Sequence, residues 1–155
     1  MNQMLRFLEM AVDQTCNSMA PPFTQWLNGT IRKISQEKAE VEYVVRKEMT
    51  NMAGLLHGGV QCGMMDDAMG MLANALGRDY FMASVNLSVD YLEQVKEGQR
   101  VITIAEVVRN GRNILNMNCT LQTLEGRKIS KAHSNLTNTT TKNPMSSDNK
   151  GQMTK

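Results

Sequence analysis

The stretch HGGVQCGMMDDAMGMLANALG, residues 57–77, decides the fold of this 155-residue chain. It is rich in Met, Leu and Ala, which are good helix formers, and it lacks the alternation of a strand. Gly77 follows at the place where a C-terminal cap belongs. The stretch therefore predicts one long helix over residues 60–76.

The segments on both sides of this helix have the pattern of strands. Residues 30–45 alternate with period two and predict a hairpin that turns near residues 35–38. Further strand patterns follow the helix at residues 82–93, 100–109, 112–124 and 128–136. Turn dipeptides separate these later runs, and one of them, Asn110-Gly111, is a strong hairpin signal. We therefore expect an antiparallel meander after the helix and about six strands in all.

The two ends of the chain differ from this central part. Residues 5–12 have helical spacing and predict a short N-terminal helix, which Pro21 and Pro22 would stop. Residues 138–155 contain almost no large apolar side chain. We expect a lead-in over residues 1–20, a folded domain over 21–137 and a flexible polar tail over 138–155. The class is α+β, with helices against one face of an antiparallel sheet.

Composition and charge exclude several functions. Apolar residues make up 41% of the chain and charged residues 21%, which is typical of a globular protein. The net charge of +2 lies in the C-terminal tail, so the body is formally neutral and lacks the basic stripe of a nucleic-acid-binding protein. Glu9 and Asp13 interrupt the first twenty residues, so we expect neither a signal peptide nor a membrane span.

The cysteines indicate the compartment. Cys16, Cys62 and Cys119 are odd in number, far apart and free of any CxxC pair. This pattern argues against a disulfide framework and against a zinc site, and a reducing cytoplasm fits it best. His133 has no companion at a metal-ligand spacing. A site built from both histidines and the aspartates is geometrically possible, but we expect no metal.

The residues that open the long helix are the densest chemical signal. His57-Gly58-Gly59 places two glycines where unpaired first-turn amides lie at the positive end of the helix dipole. Glycines allow a ligand to approach the backbone closely, and such amides suit a developing oxyanion. A tight turn with a hydrogen-bonded histidine explains the same residues, and local chemistry leaves both interpretations open.

Two adjacent carboxylates lie inside the helix, where Asp is a poor helix former. On a helical wheel Asp66 falls at the edge of the large apolar arc, close to Gly63 and Gly70. Asp67 points further round, beside Asn74. A carboxylate next to small side chains is accessible to a substrate or a second chain, although two solvated surface charges would give the same pattern.

Other polar side chains are candidates for binding. Ser84 and Asn86 share one face of the strand after the helix by simple alternation, and a hydroxyl there could position a water or a carbonyl. A half-exposed strand has the same pattern. Arg109 and Arg112 flank the Asn110-Gly111 turn, where they could bind phosphates or be plain solvated charges.

Taken together, these motifs resemble a known family. Asn51, His57-Gly58-Gly59, Asp66 nine residues after His57, and the segment from Ser84 to Tyr91 resemble the hotdog-fold acyl-CoA thioesterases. The closest likeness is to the phenylacetate-pathway type and to its thioesterase-superfamily relatives. The resemblance runs from about residue 22 to residue 136.

The resemblance implies a long central helix wrapped by an antiparallel sheet, and dimers or tetramers with active sites across the dimer interface. By position, the Gly58 amide would polarise the thioester carbonyl, aided by Asn51 of the same chain. Asp66 and Ser84 would come from the partner chain, with Asp66 as base or nucleophile and Ser84 holding the water. His57 would orient the turn.

The resemblance also implies a substrate and a chemistry. The implied substrate is an acyl-CoA, and the expected binding residues are Gly59, Val60, Asn86, Arg109 and Arg112. Thioester hydrolysis needs one oxyanion donor and one base, so we expect no cofactor. The main alternative is a non-catalytic acyl-CoA or lipid-binding hotdog module. A hotdog dehydratase or hydratase matches the Asn51 to Asp66 arrangement less well.

Overall fold

In the computed structural model, which describes residues 2–16 and 18–146, six antiparallel strands form one sheet against a long helix. The elements are α1 (Gln3–Met10), α2 (Pro22–Leu27), β1 (Thr30–Ile34), β2 (Lys38–Val44), a 3-10 turn (Lys47–Met49), α3 (Gly58–Ala75), β3 (Tyr80–Tyr91), β4 (Arg100–Asn110), β5 (Ile114–Thr123) and β6 (Lys128–Lys142). The predicted α+β class, the N-terminal helix, the first hairpin and the long helix are confirmed.

Helix α3 lies across the inner face of the sheet. Its ends follow from local chemistry, because His57 caps the N-terminus and Gly77, at φ +68°, adopts the left-handed conformation that ends a helix. The face toward the sheet is fully buried and rich in methionine, which fills irregular core space. Its fully buried members are Met64, Met65, Ala68, Met69 and Leu72. The sheet thus holds α3 by its apolar face.

The strand order is β1-β2-β4-β5-β6-β3, so β3 lies at an edge beside β6. The expected meander is therefore correct for β4, β5 and β6 and wrong for β3. The link after β3 crosses to the other side of the sheet, where Gly98 donates to the Val45 carbonyl beside β2. Buried Val95 anchors this link, since its carbonyl accepts from Leu56 in the loop before α3. Glu97-Gly98 thus belongs to a crossover and not to a hairpin.

Strand β6 continues to Lys142, so the predicted tail is wrong over residues 138–142. Threonine is β-branched and fits a pleated strand, which outweighs the lack of large apolar residues here. The Thr139 hydroxyl donates to the Phe81 carbonyl at 2.9 Å, and the Asn143 amide donates to the Asp79 carbonyl at 2.8 Å. Residues 147–155 of the predicted tail lie outside the described residues.

Helix α2 has no counterpart among the predicted elements. Pro22 occupies the first turn, where proline needs no hydrogen-bond partner, and Asn28 ends the helix at φ 54°. The Phe23 ring lies on Gly63 of α3 so closely that a Cβ at Gly63 would be 2.7 Å from Phe23 Cζ. Helix α2 therefore packs on the outer side of α3.

Within the described parts of the chain, no helix is both long and apolar enough to cross a membrane.

Candidate active site

The N-terminus of α3 is shaped by His57. Its Nδ1 accepts from the Gly59 amide at 2.9 Å, and its own amide donates to the Met49 carbonyl at 2.9 Å. A ring nitrogen that accepts carries no proton, so this hydrogen bond leaves Nε2 as the ring nitrogen that can donate. The His57 carbonyl also accepts from Val60 and Gln61, each at 3.0 Å. His57 thereby fixes the first turn of the helix.

The Gly58 amide is the unused donor of this turn. Over residues 2–16 and 18–146, no acceptor lies within hydrogen-bond distance of its N–H, and Gly58 is half-buried. The partial positive charge at a helix N-terminus favours a negative group at this position. Gly59 is exposed but its amide is already bonded to His57, and Val60 is half-buried next to it. The turn therefore offers one oriented donor to an incoming oxygen.

Asn51 organises the loop that leads into α3. Its Oδ1 accepts from the Ala53 amide at 2.9 Å and from the Leu55 amide at 3.2 Å, and the Asn51 amide donates to the Leu55 carbonyl at 2.8 Å. These bonds hold the exposed side chain by its oxygen. The Nδ2 group of Asn51 is thus the part left for a ligand.

Asp66 and Ser84 meet on the side of α3 that faces β3. The Ser84 hydroxyl donates to Asp66 Oδ1 at 2.8 Å, and both residues are exposed. One carboxylate oxygen is thereby oriented while the other has no described partner. This pair combines a carboxylate that can take a proton or attack with a hydroxyl that holds it.

Asp67 points to the other side of α3, toward α2. It is half-buried, and the Thr24 hydroxyl donates to its Oδ1 at 2.7 Å. Burial raises the pKa of Asp67, the Thr24 hydrogen bond opposes this increase, and the nearby Asp66 charge adds to it. Sequence reasoning missed Thr24 because α2 was not predicted. Asp67 thus connects two helices.

The strand that carries Ser84 contains a β-bulge. Ser84 pairs with Leu136 and Asn86 pairs with Asn135, so Val85 is an extra residue without a partner. Because Leu136 is buried in the core, Ser84 faces α3, whereas Asn86 lies on the opposite face and accepts from Asn135 Nδ2 at 2.8 Å. The prediction that Ser84 and Asn86 share one face is therefore wrong, because simple alternation does not account for a bulge. Asn86 does not line the same site as Asp66.

The donor and the carboxylate of one chain are separated along the helix. Gly58 and Asp66 are eight residues apart, which corresponds to about 12 Å of helix. A donor and a base that act on the same thioester carbonyl must both lie beside it. Gly58 and Asp66 of one chain are too far apart to do so. The structure brings Asp66 to Ser84 and places Asn51 in the loop that leads to Gly58, but it keeps Gly58 apart from Asp66.

The β4–β5 turn carries both predicted phosphate ligands. Arg109 and Arg112 are exposed. Arg78 holds this turn by donating to the Arg112 carbonyl at 3.2 Å and to the Gly111 carbonyl at 2.6 Å. Burial lowers the pKa of Arg78. Sequence reasoning missed Arg78 because its partners, the Asn110 side-chain oxygen and two backbone carbonyls, lie more than thirty residues away.

No predicted site residue lines the groove of about 650 Å³ at the far end of the sheet. Its lining residues are Gln36, Glu37, Lys38, Leu76, Glu106, Val107, Val108, Asn110 and Asn118. The described side chains also include no group of three or more His, Cys, Asp and Glu placed to hold a metal ion. The polar groups of the candidate site are the Gly58 amide, the Asp66 carboxylate and the Ser84 hydroxyl.

Comparison with curated proteins gives distant relatives that are named putative esterases or acyl-coenzyme A thioesterases. Acyl-coenzyme A thioesterase 13 of the mouse is 26% identical over 85 residues, covering 55% of this chain and 61% of the relative. The human protein of that name is 28% identical over 88 residues, covering 56% and 63%. The chain spans 54 to 61% of the length of the first curated relatives that it matches.

Solved structures extend this likeness. A hypothetical thioesterase of Streptococcus pneumoniae, crystallised with coenzyme A, is 26% identical with a TM-score of 0.69, covering 72% of this chain and 86% of that one. The PaaI protein of Escherichia coli, from a phenylacetic acid degradation operon, has a TM-score of 0.70 at 17% identity, covering 74% and 86%, and shows the fold alone. The predicted hotdog fold is confirmed. The family model of the thioesterase superfamily matches residues 53–130, and the chain belongs to this superfamily.

Proposed function

We propose that this protein hydrolyses acyl-CoA thioesters to a free acid and CoA, in active sites shared between two copies of the chain. The observation that carries the proposal is the unpaired Gly58 amide at the N-terminus of the helix that also bears Asp66. These two groups are the oxyanion donor and the base that thioester hydrolysis requires. Membership of the thioesterase superfamily supports the same reaction class.

In the proposed reaction the Gly58 amide donates to the thioester oxygen, and Asn51 Nδ2 assists it. Asp66 of the other copy takes a proton from a water that Ser84 helps to hold, and this water attacks the carbonyl carbon. The carbon–sulfur bond then breaks, and the CoA sulfur leaves and takes up a proton. Direct attack by Asp66 would instead expel the CoA thiolate and form a mixed anhydride, and hydrolysis of this anhydride at the Asp66 carbonyl would carry an oxygen of labelled water into the Asp66 carboxylate.

The proposed second copy pairs along β3. This strand lies at an edge of the sheet and bears several exposed side chains, including Ser84 and Val85. An exposed edge strand is a template for pairing with another chain. Antiparallel pairing of two β3 strands would place two α3 helices side by side and bring Gly58 of one near Asp66 of the other. The proposed assembly is this dimer or a tetramer built from two such dimers.

The remaining parts of the proposal concern binding and compartment. Arg109 and Arg112 are proposed to bind the phosphates of CoA, because guanidinium groups pair well with phosphate oxygens. Gly59 and Val60 are proposed to line the acyl group beside the donor. Cys16, Cys62 and Cys119 are free thiols, which supports the reducing cytoplasm as the compartment.

A thiol-release assay with aromatic, short, medium and long acyl-CoAs tests the proposed reaction. We expect turnover with at least one of these substrates and no dependence on added metal. Sedimentation at the assay concentration tests the shared site, and an active monomer would refute it. Tight CoA binding without thiol release from any acyl-CoA would favour the non-catalytic module instead.

A further inference from the structure

We propose that Tyr91 is a positioning residue for the Gly58 peptide, and that the bulge at Val85 is what aims Tyr91 and Ser84 at the same helix. This inference rests on the proposed function, because it assigns the support of the proposed oxyanion donor. Tyr91 ends β3, and no role follows for it from the proposed reaction itself.

Tyr91 contacts the first turn of α3 in three ways. Its hydroxyl donates to the Gly58 carbonyl at 3.2 Å, and Cys62 Sγ lies 3.0 Å from the same hydroxyl oxygen. Because a phenol has one proton to donate, the Cys62 thiol is the donor in the second contact. The ring is 3.2 Å from the position that a Cβ at Gly58 would occupy. A side chain at position 58 would therefore press against the Tyr91 ring.

These contacts fix the direction of the free amide. The Gly58 N–H and the Gly58 carbonyl flank one Cα atom, and glycine has more freedom than other residues about both backbone bonds of that atom. The His57 carbonyl, in the same peptide group as the Gly58 N–H, accepts from Val60 and Gln61 and so holds the chain before this atom. Tyr91 holds the carbonyl after it. The two together leave the unpaired N–H pointing in one direction, which is what a preorganised oxyanion donor requires.

The bulge explains how one strand reaches both parts of the site. Ser84 and Tyr91 are seven residues apart, and an odd separation puts two side chains on opposite faces of a regular strand. The extra residue at Val85 shifts the alternation by one, so both face α3. Tyr91 pairs with Ser130, whose buried hydroxyl contacts Met65 of α3. Strand β3 thus holds the carboxylate of Asp66 at one end and the Gly58 peptide at the other.

Tyr91 does not need to exchange a proton to do this. The neighbouring Cys62 sulfur and partial burial both raise the pKa of Tyr91, so the phenol stays protonated at neutral pH. A positioning residue in this state changes the rate without changing which groups titrate. The pH dependence of the residual activity therefore separates positioning from acid–base catalysis.

The test compares Tyr91→Phe with Tyr80→Phe, which removes a phenol hydroxyl at the opposite end of the same strand. For Tyr91→Phe we expect kcat to fall by about 10-fold, because the Gly58 amide is aimed less well at the developing oxyanion, with KM nearly unchanged. The pH profile should keep its shape. Tyr80→Phe should match the wild type. Cys62→Ala should lower kcat more than Cys62→Ser, and it should have no further effect in Tyr91→Phe.

Wild-type kinetics in Tyr91→Phe would overturn the inference, and so would a rise in KM with kcat unchanged. Thermal denaturation of both variants shows whether the fold is kept. If the wild-type protein releases no thiol from any acyl-CoA, the proposed function fails, and the inference is tested by NMR instead. The Gly58 and Gly59 amide shifts should then move in Tyr91→Phe and not in Tyr80→Phe, and unmoved shifts would overturn it.

Discussion

The two sides of α3 that carry Asp66 and Asp67 have opposite surroundings. The Asp66 side faces β3, is exposed and meets the hydroxyl of Ser84. The Asp67 side faces α2, is half-buried and meets the hydroxyl of Thr24. Adjacent residues with the same side chain thus differ by one step of about 100° around the helix. That step decides which carboxylate is exposed and which one connects α3 to α2.

Hydrogen bonding alone would not separate these two carboxylates, because each accepts from one hydroxyl at a similar distance. Exposure separates them. Burial raises the pKa of Asp67, so its negative charge is disfavoured next to Asp66. Burial under α2 thus leaves Asp66 as the accessible carboxylate of the pair.

The largest effect is expected from Asp66→Asn. The amide keeps the shape and can still accept from Ser84, but it can neither take a proton nor attack. We expect kcat to fall by about 10² to 10⁴, the usual range for loss of a positioned base. The thiol-release assay measures this loss, with Asp67→Asn as the matched control. Near-normal turnover in Asp66→Asn together with collapse in Asp67→Asn would reverse the assignment of the two sides.

A smaller effect is expected from Ser84→Ala. The carboxylate of Asp66 stays, but it loses the hydroxyl that orients it. A hydrogen bond to a charged group contributes about 1.5 to 3 kcal/mol, so kcat should fall by about 10-fold to 10²-fold. The matched control is Thr24→Ala, which removes the hydroxyl on the other side of α3 and should mainly lower the melting temperature. Equal losses of turnover in the two variants would mean that the sides do not differ in function.

The sequence predicted the Asp66 side of α3 better than the Asp67 side. Composition and the Gly77 cap predict the helix, and the spacing from His57 to Asp66 and Ser84 carries the family resemblance. Helix α2 was missed because Pro21 and Pro22 suggest a stop, although a proline in the first turn also begins a helix. Without α2, neither Thr24 nor the burial of Asp67 was visible.

The bulge at Val85 escaped prediction for a different reason. A bulge is a property of pairing, and the alternation of one strand does not show where its partner skips a residue. Asn86 was therefore assigned to the face of Ser84, and Tyr91 received no role. Strand β6 was cut short because its last residues are polar, yet they pair with the start of β3. Pairing between distant segments is the information that a single sequence does not contain.

The packing of α2 on α3 is tested by Gly63→Ala. The new methyl group would lie 2.7 Å from Phe23 Cζ, so the ring must move. Overpacking of this kind lowers stability by about 1 to 3 kcal/mol, which we expect in thermal or denaturant unfolding. In a Phe23→Ala background the same substitution should cost less, because the clash is gone. Equal costs in both backgrounds would mean that α2 does not depend on the small side chain at Gly63.

The smallest effect is expected from Asp67→Asn. The asparagine Oδ1 can still accept from the Thr24 hydroxyl, and the variant no longer buries an ionisable group. Turnover should stay within about two-fold of the wild type, since Asp67 does not face the proposed site.

The difference in stability between the wild type and Asp67→Asn should depend on pH in one direction. A carboxyl whose pKa is raised in the folded state binds its proton more tightly there than in the unfolded chain. Its stabilising contribution is therefore complete below the ordinary pKa of about 4 and is lost as the pH rises through the raised value. Relative to Asp67→Asn, the wild type should lose free energy of unfolding over that range in urea titrations at several pH values. The opposite slope would mean that the Thr24 hydrogen bond outweighs burial and favours the ionised form of Asp67.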